Sequence, residues 1–310
     1  MGRTYKERSL FTGLKNTEGM TGIRKIKSVI PPPPAHMVGD GFRVHNFFPS
    51  SPLIGMNGMS PFFLMDYGAL RILPPSEKPK GVGVHPHRGF ETVTIAYQGS
   101  VAHHDSAGNS GIIHQGDVQW MTAGQGVLHK EYHEKEFSKM GGPFQMVQLW
   151  VNLPAKDKMT PARYQAIENK AMGKYSFDGG IVEVIAGEYM GVKGPAQTFT
   201  DISMFNAILS KGAVAKFSFP ASYNTGFLVT AGEIKVNNEK NGSEDSFILF
   251  ANEGTEIEIE AVKDSKILIL SGAPINEPIA AYGPFVMNTQ SEIQEAFDDY
   301  YNGKFGYLED

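Results

Sequence analysis

The stretch VHPHRGFETVTIAYQGSVAHHDSAGNSGIIHQGDVQWMTAGQGVLHKEYH, residues 84–133, decides how the chain folds and where its chemistry sits. It holds seven of the nine histidines. Runs such as TVTIAY are rich in β-branched and aromatic residues, and Gly99, Gly108, Gly116, Gly124 and Gly126 punctuate the stretch, the pattern of short strands joined by tight turns. His85 and His87 stand two apart, so on a strand they share a face, with their backbones about 7 Å apart. His129 and Glu131 repeat that spacing. Two such pairs on different strands can converge on one point, offering three imidazole nitrogens and one carboxylate oxygen to a divalent ion and leaving coordination positions open. A single histidine beside a strand is ordinarily a plain hydrogen-bonding residue. Two same-face pairs within one stretch favour a metal site. A structural zinc would require four closed ligands, usually including cysteine, and the chain has no cysteine.

Within this stretch HPHRGFETVT, AHHDSAGNSG and GDVQWMTAGQGVLHKE resemble the two metal-binding motifs of cupins, specifically those of the pirin family. HMVGDGFRVHNFFP, SPFFLMDYG, QLWVNLP and NEPIAAYGPFVMNT are also similar to pirin segments, so the resemblance runs from about residue 22 to 290. It implies an all-β bicupin, two tandem double-stranded β-helix (jelly-roll) barrels, the first binding an iron-type metal through His85, His87, His129 and Glu131. HxH followed by three residues and a glutamate is also the arrangement in which many cupins use that glutamate as a ligand, so spacing alone leaves Glu91 and Glu131 in competition. The resemblance assigns the ligand role to Glu131 and a supporting role to Glu91. His103 matches a family position near the pocket. The donor set suits Fe, Mn, Ni, Zn, Cu or Co, and the resemblance selects Fe. Two functions are implied and both stay open. One is a quercetin 2,3-dioxygenase-like activity on a flavonol-like small molecule and dioxygen, with Glu131 also accepting the flavonol hydroxyl proton. The other is a non-enzymatic metal- and redox-sensing regulator that binds a protein partner.

The 310 residues suit two domains, and 35 glycines with 19 prolines suit many short strands. With 28 basic and 33 acidic side chains the formal net charge is −5, and no basic cluster is long enough to track a phosphate backbone, so direct nucleic-acid binding is not expected. Without cysteine, imidazole and carboxylate groups carry the chemistry. No apolar run is long enough to cross a membrane and the first residues lack a leader pattern, which predicts a cytoplasmic protein. MGRTYK departs from a myristoylation signal.

Taken in order, residues 1–21 read as a polar N-terminal extension. GIRKIKSVI reads as an edge strand, and the following PPPP interrupts it, since proline donates no ladder hydrogen bond. Some of Phe47, Phe48, Phe62, Phe63, Leu64 and Met65 are expected to line the cavity, and most to fill core. Asp66 has no evident role. PFQMVQLWVNLP alternates, with Phe144, Met146, Gln148 and Trp150 on one face. Residues 155–174 read as a helical or irregular crossover, so the domains are expected at 22–154 and 155–288. The second half repeats the strand pattern. Aligning Gly232 with Gly99 sets Ser218, Pro220 and Asn224 opposite His85, His87 and Glu91, a duplicated barrel without ligands. Residues 289–310 read as a C-terminal helix and tail, capped at Thr289 or Ser291 and ended by Gly303; the resemblance implies that it packs back on the first barrel. Arg88, Gln119 and Gln148 are candidate pocket polar groups, and His104, His114 and His133 are expected at the surface.

Overall fold

Strict alternation explains most of the strands. Glu256–Ala261, EIEIEA, buries every second side chain, and Val214–Ser218 does the same. Phe90–Gln98 is buried on both faces, because one face lines a barrel and the other packs against a second barrel. The computed structural model describes residues 22–309 and is built almost wholly of strands, so the expected extension at 1–21 lies outside the described residues. Each barrel pairs a seven-stranded antiparallel sheet with a four-stranded one. In the first, the large sheet runs Arg163–Ile167, Val118–Thr122, Phe90–Gln98, Gly142–Asn152, Phe62–Leu73, Phe42–Phe48, His36–Val38. Its small sheet runs Gly81–His87, Val127–His133, Val101–Asp105, Ser110–Ile113.

Two strands sit across the boundary expected near residue 154. Ile26–Ile30 pairs with Phe247–Phe250 at the edge of the second barrel's large sheet, and the prolines at 31–34 then carry the chain to the first barrel. Buried Arg24 holds that strand in place by donating to the carbonyls of Ala251, Pro220, Ala221 and Tyr223. Arg163–Ile167, inside the segment read as helical or irregular, pairs with Val118–Thr122 of the first barrel. Edge pairing settles where such strands lie, and their own composition carries no mark of it.

The two large sheets bury Phe47, Phe48, Phe62 and Met65 against Phe247, Leu268 and Leu270. Phe47 and Phe48 meet the Phe247 ring at 5.7 and 5.9 Å. Phe63 and Leu64 pack with Phe90 and Val286. None of the six apolar residues expected near the cavity lines it, since removing these rings from water is worth about 1.5–3 kcal/mol each at the barrel interface. Tyr97 donates to Asn206 at 2.7 Å and Tyr67 to Asp245 at 2.6 Å, adding polar cross-links between the barrels.

The second barrel is filled by its own side chains. Phe205, Phe217, Phe219, Phe227, Ile257 and Ile259 meet in one buried cluster. The inward residues on Val214–Ser218 and just beyond it are Ala215, Phe217 and Phe219, whereas Ser218 and Pro220 are exposed. The Gly232 alignment was therefore one residue out of phase on this strand, and a one-residue slip exchanges the two faces. Phe217 and Phe219 join the cluster that fills the second barrel.

The C-terminal helix Gln290–Tyr301 begins at Thr289, whose hydroxyl accepts from Glu292 N–H while the Glu292 carboxylate accepts from Thr289 N–H, a reciprocal cap. It packs on the first barrel, where Arg88 donates to Asp299 at 2.8 Å and stacks over Phe305. The approach is close. A Cβ at Gly89 would meet the Val286 carbonyl at 2.0 Å, and one at Gly126 the Phe305 ring at 2.3 Å. Buried Lys158 donates to Gly89 O, Val286 O and Asn152 Oδ1, tying the C-terminal segment to the HPHRG turn.

Candidate metal centre

The strands Gly81–His87 and Val127–His133 run antiparallel with His85 opposite His129 and His87 opposite Val127. The three imidazoles therefore meet above one face. Their ring centroids are 4.2 Å (His85–His129), 4.7 Å (His87–His129) and 4.8 Å (His85–His87) apart. One nitrogen from each lies within 4.8 Å of the others. The other nitrogen of each is engaged. His85 Nδ1 lies 2.8 Å from Gly83 O, His87 Nδ1 3.2 Å from Pro284 O, and His129 Nδ1 3.5 Å from His103 Nδ1. These contacts leave the Nε2 atoms for the centre, and His129 Nε2 is buried with no hydrogen-bond partner among the described residues. Burial holds the His87 and His129 imidazoles well below their ordinary range and lowers His85 as well, which favours the neutral form that binds metals. A buried, unpartnered nitrogen facing two other imidazoles is unfavourable unless something satisfies it, and a divalent ion fits the donors present.

Glu131 belongs to a second triad, with His129 and His103, whose ligand atoms also lie within 4.8 Å of one another. The register shift between His129 and Glu131 places one extra residue on the facing strand, so that His85 lies opposite His129 and Val82 opposite Glu131. The carboxylate is held from the large sheet. Thr94 donates to Oε1 at 3.0 Å, Gln119 also donates to Oε1, and Gln148 donates to Oε2 at 3.2 Å. The single Thr94 hydroxyl proton is shared with Gln148 Oε1 at 2.6 Å. Asn46, Asp66, Gln148, Thr94 and Gln119 are successive register partners, so a polar row crosses five strands of the barrel floor beneath the histidines.

His103 is fully buried, stacked on Tyr164 and 3.3 Å from Asp105 through Nε2, so it links Asp105 to His129. Arg88 is no cavity group, since its guanidinium anchors Asp299 and Gln125 O. His114 is exposed and His104 half-buried on Tyr132. His133, expected at the surface, is instead buried among Phe42, Phe137 and Phe144, and burial pushes it down to about 4. The inward phase of His129 and Glu131 simply continues to it. Thr94, Asp105, Tyr164 and Pro284 were not singled out in the sequence. Strand register would have found Thr94, whereas the Pro284 contact spans 197 residues and has no local signal.

Glu91 points away from all of this. The odd-numbered side chains of Phe90–Gln98 face the second barrel, and Glu91 accepts from Thr122 at 2.7 Å with Arg163 at 4.0 Å. Its Oε2 is buried without a partner, and burial pushes the carboxyl up to about 7 from an ordinary 4.5. Between those values the folded chain keeps a proton that the unfolded chain has released, so this group lowers stability as pH rises through the window. Glu91→Gln is expected to match the parent near pH 4.5 and to exceed it above pH 7 by up to about 3 kcal/mol, read from denaturant unfolding at both pH values. A stability difference independent of pH would contradict this placement of the charge.

A cavity of about 290 Å³ lies over the site, with walls that include Val38, Phe42, Val44, Val82, Val101, Met146 and Trp150. His85, His87, Glu131, Gln148 and Asp66 contribute its polar points, and Gly283 and Pro284 of the C-terminal segment close one side. Trp150 stacks on Phe90 at 4.2 Å and stands edge-on to His87 at 5.1 Å. The arrangement suits a flat, mostly apolar molecule with an oxygen-bearing edge turned to the histidines.

Comparison with known proteins follows the same lines. A crystal structure of a quercetin 2,3-dioxygenase from Acinetobacter baumannii is 47% identical, with a TM-score of 0.88 over 93% of this chain and 100% of that one. A Pseudomonas aeruginosa protein named provisionally as a quercetin 2,3-dioxygenase is 44% identical over 87% of this chain and 94% of its own length. Human pirin is 34% identical over 81% of this chain and 85% of its own. The pirin family model matches residues 41–151 and the pirin C-terminal cupin domain model residues 204–306, and the chain is therefore a two-cupin member of the pirin family.

Proposed function

We propose that this chain is an iron-dependent dioxygenase of flavonol-like substrates, acting at one site in the first barrel. His85, His87, His129 and Glu131 would hold the ion, with His103 behind His129. The observation that carries this reading is the convergence of three imidazoles, one of them with a buried and unpartnered Nε2, beside a mostly apolar cavity. Similarity to the Acinetobacter baumannii quercetin 2,3-dioxygenase supports the substrate class. A bound redox-capable ion supplies a centre at which chelating oxygens and dioxygen can meet.

The chain's own groups do the rest. Phe42, Met146 and Trp150 enclose the flat ring system and exclude water. Gln148, Thr94 and Gln119 fix the Glu131 carboxylate in one orientation, from which it accepts the proton of the flavonol hydroxyl at the carboxylate oxygen facing the cavity. In the overall reaction both atoms of dioxygen enter the product while one ring carbon leaves as carbon monoxide. Fe(II)-loaded protein incubated with quercetin under oxygen is expected to consume the flavonol absorbance and release carbon monoxide in equal amount. Failure across Fe, Mn, Ni, Zn, Cu and Co would contradict the enzymatic reading and favour a metal-dependent regulator of a protein partner.

A further inference from the structure

Asp66 is the one polar wall of the cavity that neither the ligand set nor the Glu131 network employs. It sits on Phe62–Leu73 as the register partner of Asn46 on one side and Gln148 on the other. The residue is 9% exposed and lines the cavity. Asn46 donates to Oδ1 at 2.8 Å, and among the described residues no other group donates to this carboxylate. Oδ2 is left to the cavity. Gln148 and Thr94 both engage Glu131, and Asp66 lies one strand beyond Gln148 and two beyond Thr94, placing it about 10 Å from the Thr94 column across the sheet. The cavity thus has its coordinating groups on one side and, two strands from the Thr94 column, a carboxylate acceptor on another, with Phe42, Val44 and Met146 among the apolar residues that line it. Burial raises the carboxyl above its ordinary value, against the bond from Asn46, as expected of an acceptor lacking a second donor.

We propose that Asp66 determines specificity by accepting a hydrogen bond from a phenolic hydroxyl at the end of the substrate remote from its chelating oxygens, so that the site selects polyhydroxylated flavonols over bare ones. The proposal rests on the flavonol reading of the same cavity and adds what that reading lacks, a residue that reads the substituted ring. A hydrogen bond to a charged acceptor in a water-poor site is worth about tenfold or more in affinity.

Trp150 in the cavity wall gives a binding signal independent of turnover. Metal-loaded protein, kept anaerobic, is titrated with quercetin and with 3-hydroxyflavone, which keeps the chelating pair and lacks the remote hydroxyls, while Trp fluorescence is followed. The parent is expected to bind quercetin at least about tenfold more tightly. Asp66→Ala should bring the two affinities within about threefold of each other by weakening quercetin alone. Asp66→Asn keeps the side-chain shape and the oxygen held by Asn46 while turning an amide NH2 to the cavity, and it should lose the same preference even if the alanine variant is poorly folded. A parent that does not discriminate, or a preference intact in both variants, overturns the assignment. A preference lost in the variants without carbon monoxide release from the parent would uphold Asp66 and sink the dioxygenase; carbon monoxide release with an unmoved preference would do the reverse.

Discussion

A chain carrying His85→Ala and His87→Ala together is expected to retain no metal after dialysis and to release no carbon monoxide from quercetin. The reason is geometric. These two imidazoles are two of the three that converge within 4.8 Å, and the second triad of His103, His129 and Glu131 has its carboxylate held by Gln119, Thr94 and Gln148. Loss of a single outer partner of a ligand typically weakens metal binding by about 10–100-fold, so loss of two ligands is expected to exceed that range. Bound metal also stabilises a fold, by about 4 kcal/mol at a thousandfold excess over Kd. The parent's melting temperature should therefore rise on metal addition while that of the double variant stays still. A double variant that melts higher with metal would show that His103, His129 and Glu131 suffice.

Glu131→Gln is expected to weaken metal binding and, at full occupancy, to slow flavonol turnover by about 10²–10⁴-fold, the usual worth of a positioned general base. The substitution keeps the shape but places an NH2 where three donors already converge, so one of Thr94, Gln119 and Gln148 must reorient. Glu91→Gln should leave metal content unchanged, because Glu91 faces the second barrel beside Thr122 and Arg163. Metal lost from Glu91→Gln and kept by Glu131→Gln would mean that the site follows the other cupin arrangement.

The candidate ligand histidines were legible because strand periodicity is local: HxH on one strand and HxE on its neighbour put four side chains on one face without knowledge of the fold. The two-barrel organisation was legible for the same reason, since short alternating runs recur between turn glycines. What escaped depends on pairing across long separations. Ile26–Ile30 and Arg163–Ile167 lie in the barrel that their place in the chain does not suggest, because an edge strand joins whichever ladder is open to it. Ser218 and Phe217 differ by one position, and only the observed inward face shows that Phe217 fills the second barrel. Pro284 supports His87 through a backbone carbonyl, a contact to which its own side chain contributes nothing recognisable in sequence. Asp66 was unplaced until the register of three strands set it in line with Gln148 and Thr94.

The most direct test of a single working site in the first barrel is a metal count. Purified chain loaded with Fe(II) under anaerobic conditions, dialysed and analysed for metal and protein is expected to hold one ion per chain, since Phe205, Phe217, Phe219 and Phe227 fill the second barrel and no histidine follows His133. Two ions per chain surviving dialysis would contradict the account and point to a further site built from carboxylates.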